Sequence, residues 1–160
     1  MLNDILDAVI AAMTNVGIHA VSKYPGAALD RSETTVAVSM KHGQLSGSGC
    51  GNYLGTRESS GGIRELYGCR AELEIGMAIY TAAPPEEAEK SCLALLDELC
   101  GCVGGIEGVR LVSLSCGDVH YDAKTEMLRC DAALSLIAFL ISEGDGAGGF
   151  TDFVLRGVLK

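Results

Sequence analysis

The chain has no tryptophan, and three Phe and five Tyr are its only aromatic residues. That is too few rings for a base-stacking platform. Cations are also scarce, with twelve Lys and Arg against twenty-one Asp and Glu, a net charge of −9. Such a deficit opposes sequence-independent DNA binding, which works by displacing counter-ions from phosphate. It suits a surface that nucleic acid can slide past without sticking. Long apolar runs are missing: the longest, residues 132–141, is interrupted by Ser135 and is only strand-sized, well short of the ~18 residues a membrane helix needs. The opening MLNDILDAVI carries two acids and no Lys or Arg, the wrong charge for a secretory signal or a transit peptide. The expectation is synthesis in the cytoplasm and no membrane partner.

Catalytic and nucleotide-binding signatures are absent too. There is no P-loop, no GxSxG elbow, no HExxH and no EF-hand loop. The nearest approach to a dinucleotide fingerprint, Gly49-x-Gly51-x-x-x-Gly55, has the wrong last spacing and no helix to follow it. The seven cysteines are odd in number and include no CxxC, which disfavours both a disulfide framework and a two-cluster structural zinc site. Cys69, Cys92, Cys116 and Cys130 read as small core residues.

What is present is enough for one domain. At 160 residues and 48% apolar content, the chain can bury about 68–70% of its unfolded surface. Leu2, Ile5, Leu6, Val9, Ile10 and Met13 recur with helical spacing, with Asn3 to cap and Gly17 to stop the helix. His19 falls just past it. A turn at Tyr24-Pro25-Gly26 leads to a β-branched strand over 34–40. The segment Gly43–Gly62 is glycine-rich and reads as a mobile loop or a long hairpin tip. Residues 69–80 alternate cleanly: Cys69, Ala71, Leu73, Ile75, Met77 and Ile79 point one way, while Arg70, Glu72, Glu74, Gly76, Ala78 and Tyr80 face water. Ala83-Pro84-Pro85-Glu86-Glu87 opens a second helix with a stripe at Ala88, Cys92, Leu95, Leu96 and Leu99. Gly101, Gly104, Gly105 and Gly108 end it. Strands follow over 109–121, bulged at Gly117, and over 126–141, joined by the turn 122–125. The predicted fold class is α+β: two helices packed on a mostly antiparallel, twisted sheet, with a long Gly-rich loop and a C-terminal tail. The domain spans 1–141, a Gly-rich linker 142–149, and an apolar tail 150–160. Phe150, Phe153, Val154 and Leu155 are too apolar to stay in water, so the tail folds back on its own domain or docks on a neighbour.

Candidate chemistry is sparse. On a regular strand Asp118, His120 and Asp122 would share one face and could form a small metal or acid–base cluster, but a solvated strand face leading into a turn accounts for them without one. Glu72 and Glu74 lie about 7 Å apart along one strand face, as a carboxylate pair would, but alternating charge on an exposed strand accounts for them without catalysis.

The order of elements resembles the tail-terminator, or tail-completion, proteins of long-tailed bacteriophages and prophages. The features that carry the resemblance are the helix starting at Leu2, the Tyr24-Pro25 segment before the first strand, and the long strand ending Ile79-Tyr80-Thr81. The helix start Pro84-Pro85-Glu86-Glu87 and the hairpin His120-Tyr121-Asp122-Ala123-Lys124-Thr125 before the apolar return strand 127–140 complete it. It covers residues 1–141 and leaves Gly43–Gly62 and the tail unmatched. It implies a structural role without enzyme activity or cofactor. Such proteins form a ring, usually a hexamer, that caps the tail tube and meets the head-side connector protein, with DNA passing through the lumen. The protein's partners would then be itself, the tail-tube protein and the connector, its location the host cytoplasm during assembly and afterwards the virion tail. Arg70, Glu72, Glu74 and the tail residues Phe150, Phe153, Val154 and Leu155 are the candidate contact residues. A different class of reading is a small metal- or thiol-dependent cytoplasmic protein using Cys100, Cys102 and His120 or Asp118.

Overall fold

The computed structural model describes residues 2–22, 29–59, 62–106 and 108–143, together with Val154 and Leu155. Helix α1 spans Leu2–Asn15 and buries Ile5, Val9 and Met13 completely. Asn3 lies inside the helix rather than capping it. Gly17 stops it as expected: at φ +86° its N–H donates to Thr14 O (3.0 Å), and the Ile18 N–H donates to Met13 O (3.0 Å). These are the paired bonds that end a helix when a glycine takes the left-handed conformation.

His19 belongs to a short strand, β1 (His19–Ser22), which pairs in parallel with β2 (Thr35–Gly47). Four residues carry too little periodicity to be read as a strand. The Tyr24-Pro25-Gly26 turn lies outside the described residues. β2 continues past Met40, through a bulge at Lys41, into the glycine-rich region. A single 3-10 turn at Cys50–Asn52 leads to β3 (Tyr53–Ser59), which pairs antiparallel with the start of β4 (Gly62–Thr81). The loop reading of Gly43–Gly62 is therefore corrected and the hairpin reading stands. Glycine lowers intrinsic strand propensity, but the β4 ladder supplies the backbone partners that stabilise these strands.

Helix α2 runs Pro85–Gly104 and buries Ala88, Cys92, Leu96, Leu99 and Val103. It passes through Gly101, where the sequence suggested an end. Each internal glycine costs about 1 kcal/mol, but full burial of Val103 contributes about 1.5–3 kcal/mol and holds the last turn in place. β5 (Val109–Asp122) and β6 (Met127–Glu143) form the expected antiparallel hairpin, with the β5 register shifting between Cys116 and Val119 around Gly117. β6 extends two residues into the segment read as linker. β7 (Val154–Leu155) pairs antiparallel with Leu140 and Ile141 of β6, so this part of the tail folds back on its own domain. Phe150 and Phe153 lie outside the described residues.

The fold is α+β, as expected. The seven-stranded sheet runs β1-β2-β4-β6-β5, with β3 beside β4 and β7 beside β6. Every pairing but β1–β2 is antiparallel. Both helices share one core with Ala71, Leu73, Ile75, Met77 and Ile79 of β4 and Ala132, Leu134, Leu136, Ala138 and Leu140 of β6. They therefore cover a single face. At about 3.3 Å per residue β4 is about 66 Å long, against about 21 Å for α1 and about 30 Å for α2. Helices of that length cannot cover the whole sheet, and the β3 end of β4 projects as an arm.

Candidate assembly surface

The register between β4 and β6 decides which side chains meet on the face away from the helices. Arg70 is opposite Phe139, Glu72 opposite Ile137, and Glu74 opposite Ser135. On the other flank of β4, Ser46, Gln44 and His42 of β2 stand opposite the same three residues. Arg70, Glu72 and Glu74 thus lie on one face, as their alternation predicted, in a polar strip bordered by half-buried Ile137 and Phe139. Those two were missed as candidate contacts, because β6 is apolar on both faces and only its register separates them from the core.

The strip has its own internal chemistry. Arg70 Nη2 pairs with Glu72 Oε1 at 3.0 Å, and both side chains remain about half exposed. Pairs that wet contribute only about 0–1 kcal/mol, so this one orients the guanidinium more than it stabilises the fold. The Arg70 Nε is buried and has no hydrogen-bond partner among the described residues.

The expectation that the whole even-numbered face of β4 is solvated fails beyond Glu74. Gly76, Ala78 and Tyr80 are buried there. Ala78 and Tyr80 form a second small core with Ala37 and Met127, against which Val21 and Leu29 pack. The Arg129 guanidinium lies 5.7 Å from the Tyr80 ring centroid and is held by Asp131 (Nη2–Oδ1 2.6 Å). Val21 of β1 and Leu29 close this end of the face, and among the described residues the Arg70–Glu74 end stays open.

At the arm, Tyr53 and Tyr67 stack edge to face, with ring centroids 5.7 Å apart. The Tyr67 hydroxyl donates to Glu65 Oε2 at 2.5 Å, and that carboxylate raises the Tyr67 pKa. Leu45, Tyr53 and Ile63 are exposed apolar side chains, Ile63 at 70%. Among the described residues β3 pairs only with β4, and β5 only with β6, so each presents an unpaired edge.

The residues of the metal or thiol reading fall apart from one another. Cys100 and Cys102 sit in the last turns of α2, and the Cys102 thiol donates to Leu99 O at 3.3 Å. His120 is exposed on β5, its ring near the Asp118 carbonyl. The bulge at Gly117–Asp118 breaks the two-residue period, so Asp118 lines a groove beside α2. His120 and Asp122 stay in register with Arg129 and Met127 on the far face. Asp122 instead holds the turn: it accepts from the Lys124 N–H (3.1 Å) and the Thr125 hydroxyl (3.0 Å), and these bonds keep its carboxyl below the usual range. Among the described residues no three His, Cys, Asp or Glu side chains converge to hold a metal ion. Of the cysteines read as core, Cys92 and Cys130 are buried, Cys69 is half-buried and Cys116 is exposed. Among the described residues no helix is long and apolar enough to cross a membrane. The chain matches no protein-family model and no curated protein.

Proposed function

We propose that this chain is a structural assembly protein of a bacteriophage or prophage tail: a tail terminator, whose copies form a ring on the end of the tail tube. The ring meets the head-side connector and lets DNA pass without binding it. Its place of action is the bacterial cytoplasm during assembly and then the virion tail, and it performs no catalysis. The observation that carries the reading is a sheet whose helices lie on one face, with the Arg70–Glu74 strip exposed on the other and, among the described residues, unpaired strand edges at both sides. A ring interface is heterologous, one patch meeting a different patch on the next copy. A sheet with dissimilar open edges, β1 and β3 on one side and β5 and β7 on the other among the described residues, suits that geometry. Arg70 and Glu72, each about half exposed, offer charges of both signs to a neighbouring copy. The net charge of −9 per copy gives a lumen field that repels DNA adhesion.

Native mass spectrometry over a concentration range, followed by electron microscopy with uncapped tail tubes, tests this. A ring-sized species of six copies, or caps on the tubes, is the expected result. The Glu72→Lys/Glu74→Lys double variant should lose the ring while keeping the fold of the subunit. A chain that stays monomeric and leaves tubes uncapped at every concentration overturns the proposal.

A further inference from the structure

Between the first half of α2 and the β5 bulge lies a groove of about 560 Å³. Cys92 of α2, Cys116 of β5 and Cys130 of β6 all line it, with Glu89 and Asp118 at the polar side. Their sequence separations match no cysteine motif, and only the packing of α2 on the β5–β6 hairpin brings them together. The three thiols are graded in access: Cys116 is exposed, whereas Cys92 and Cys130 are each 2% exposed. They are also neighbours: Cys92 and Cys130 influence each other's ionisation, and the Cys130 S–H donates to Gly117 O in the bulge at 3.4 Å. Cys116 pairs with Ala132, and Cys130 with Val119 just beyond the bulge, so Cys116 and Cys130 are diagonal neighbours on the helix-facing side.

The geometry points to a thiol–disulfide exchange site for small-molecule disulfides, in which Cys116 takes up the oxidant and the bond migrates inward to end between Cys130 and Cys92. In the first step the Cys116 thiolate attacks one sulfur of the disulfide RSSR, and RS⁻ leaves with the electron pair and takes a proton. Cys130, losing its proton to water, then attacks the Cys116 sulfur and expels the second RS⁻. Cys92 loses its proton and attacks the Cys130 sulfur, returning Cys116 as thiolate. In sum, one RSSR and two thiols give one protein disulfide and two RSH. Burial pushes the Cys92 thiol up to about 11 and raises Cys130 as well, so the exposed Cys116 meets the oxidant first and the two inner attacks, with little thiolate at neutral pH, are the slow steps. The product ties α2 to β6 and is independent of any role in assembly.

The test treats the reduced full chain with oxidised glutathione and maps tryptic peptides without reduction. Cys92, Cys116 and Cys130 fall in three separate peptides, 91–110, 111–124 and 130–156. Fragmentation separates Cys92 from Cys100 and Cys102. The expected product links Cys92 to Cys130 and leaves Cys116 as free thiol. Cys116→Ala, an exposed substitution with little effect on folding, should slow that link by about tenfold or more, because only buried thiols remain to react. Cys130→Ala should stop migration and leave glutathione on Cys116. A wild-type chain that keeps glutathione on Cys116 without an inner disulfide overturns the inference. So does a link that forms at the same rate in Cys116→Ala.

Discussion

The two ends of β4 are one continuous strand under opposite physical regimes. From Cys69 to Thr81 the strand lies between β2 and β6 and carries the helices, and its odd residues Ala71, Leu73, Ile75, Met77 and Ile79 are buried. From Gly62 to Tyr67 it pairs with β3, and only Leu66 and Tyr67 also reach β6; Leu66 is buried there, but Gly62 to Glu65 are exposed. The body end is held by side-chain burial, worth about 25 cal/mol per Å². The arm end is held mainly by backbone ladder bonds and by the Tyr53–Tyr67 contact. Ladder bonds contribute only about 1 kcal/mol net each and shape the chain without anchoring it. One strand can therefore belong both to a rigid core and to a projecting surface.

This contrast is sharpest in two isoleucines on the same strand. Ile75 is completely buried and Ile63 is 70% exposed. Ile75→Ala should lower unfolding free energy by about 2–5 kcal/mol, through lost burial and the cavity left behind, as read by urea denaturation. Gly68→Ala comes next. Its new Cβ would fall well inside contact with the Leu140 carbonyl oxygen of β6 and against the Leu54 side chain of β3. Backbone cannot yield as a flexible side chain can, so we expect a loss of about 1–3 kcal/mol. Hydrogen exchange should show it as faster exchange across β3 and the β3 end of β4, with the body still protected.

The body also carries an alkaline sensitivity at Cys92. Below pH 9 the Cys92 thiol is protonated in both folded and unfolded chains. As pH rises above 9, the unfolded chain releases a proton that the folded chain retains until about 11. Stability therefore falls between these values, by on the order of 2 kcal/mol. Cys92→Ala should flatten that part of a melting-temperature profile. At the acid end the sign reverses for Asp122: its contribution to the turn is present above pH 3.8 and is lost as pH falls through its depressed folded value. Smallest of all, Ile63→Ala on the arm should change stability by less than about 0.5 kcal/mol. A loss at Ile63 comparable to that at Ile75 would show that the arm is an integral part of the core.

Much of the body was legible in the residue order. The stripe Ile5, Val9, Met13 and the alternation around Ile75 carry periods of 3.6 and 2, which local spacing alone imposes on amphipathic elements. The β5 bulge and the turn at 122–125 were marked by Gly117 and Asp122. Arg70, Glu72 and Glu74 were found on one face by the same alternation. The glycine-rich arm was legible only as one of two alternatives, because glycine gives no period by which to tell a hairpin from a loop. The burial of Ala78 and Tyr80 was hidden for a related reason: Leu29 and Val21, which pack on them, lie in short segments with no periodic signal of their own.

Local pattern by itself determined the two helices, the long strands, the α+β class and the one polar face, because each follows from which residues avoid water at a fixed spacing. Only the tertiary structure decided that the helices cover one face and leave the other open, that Ile137 and Phe139 border Arg70, Glu72 and Glu74, and that Cys92, Cys116 and Cys130 share a groove. Those are relations between segments distant in the chain. They are set by strand register and helix docking, which depend on the packing of the whole core rather than on any one stretch of it.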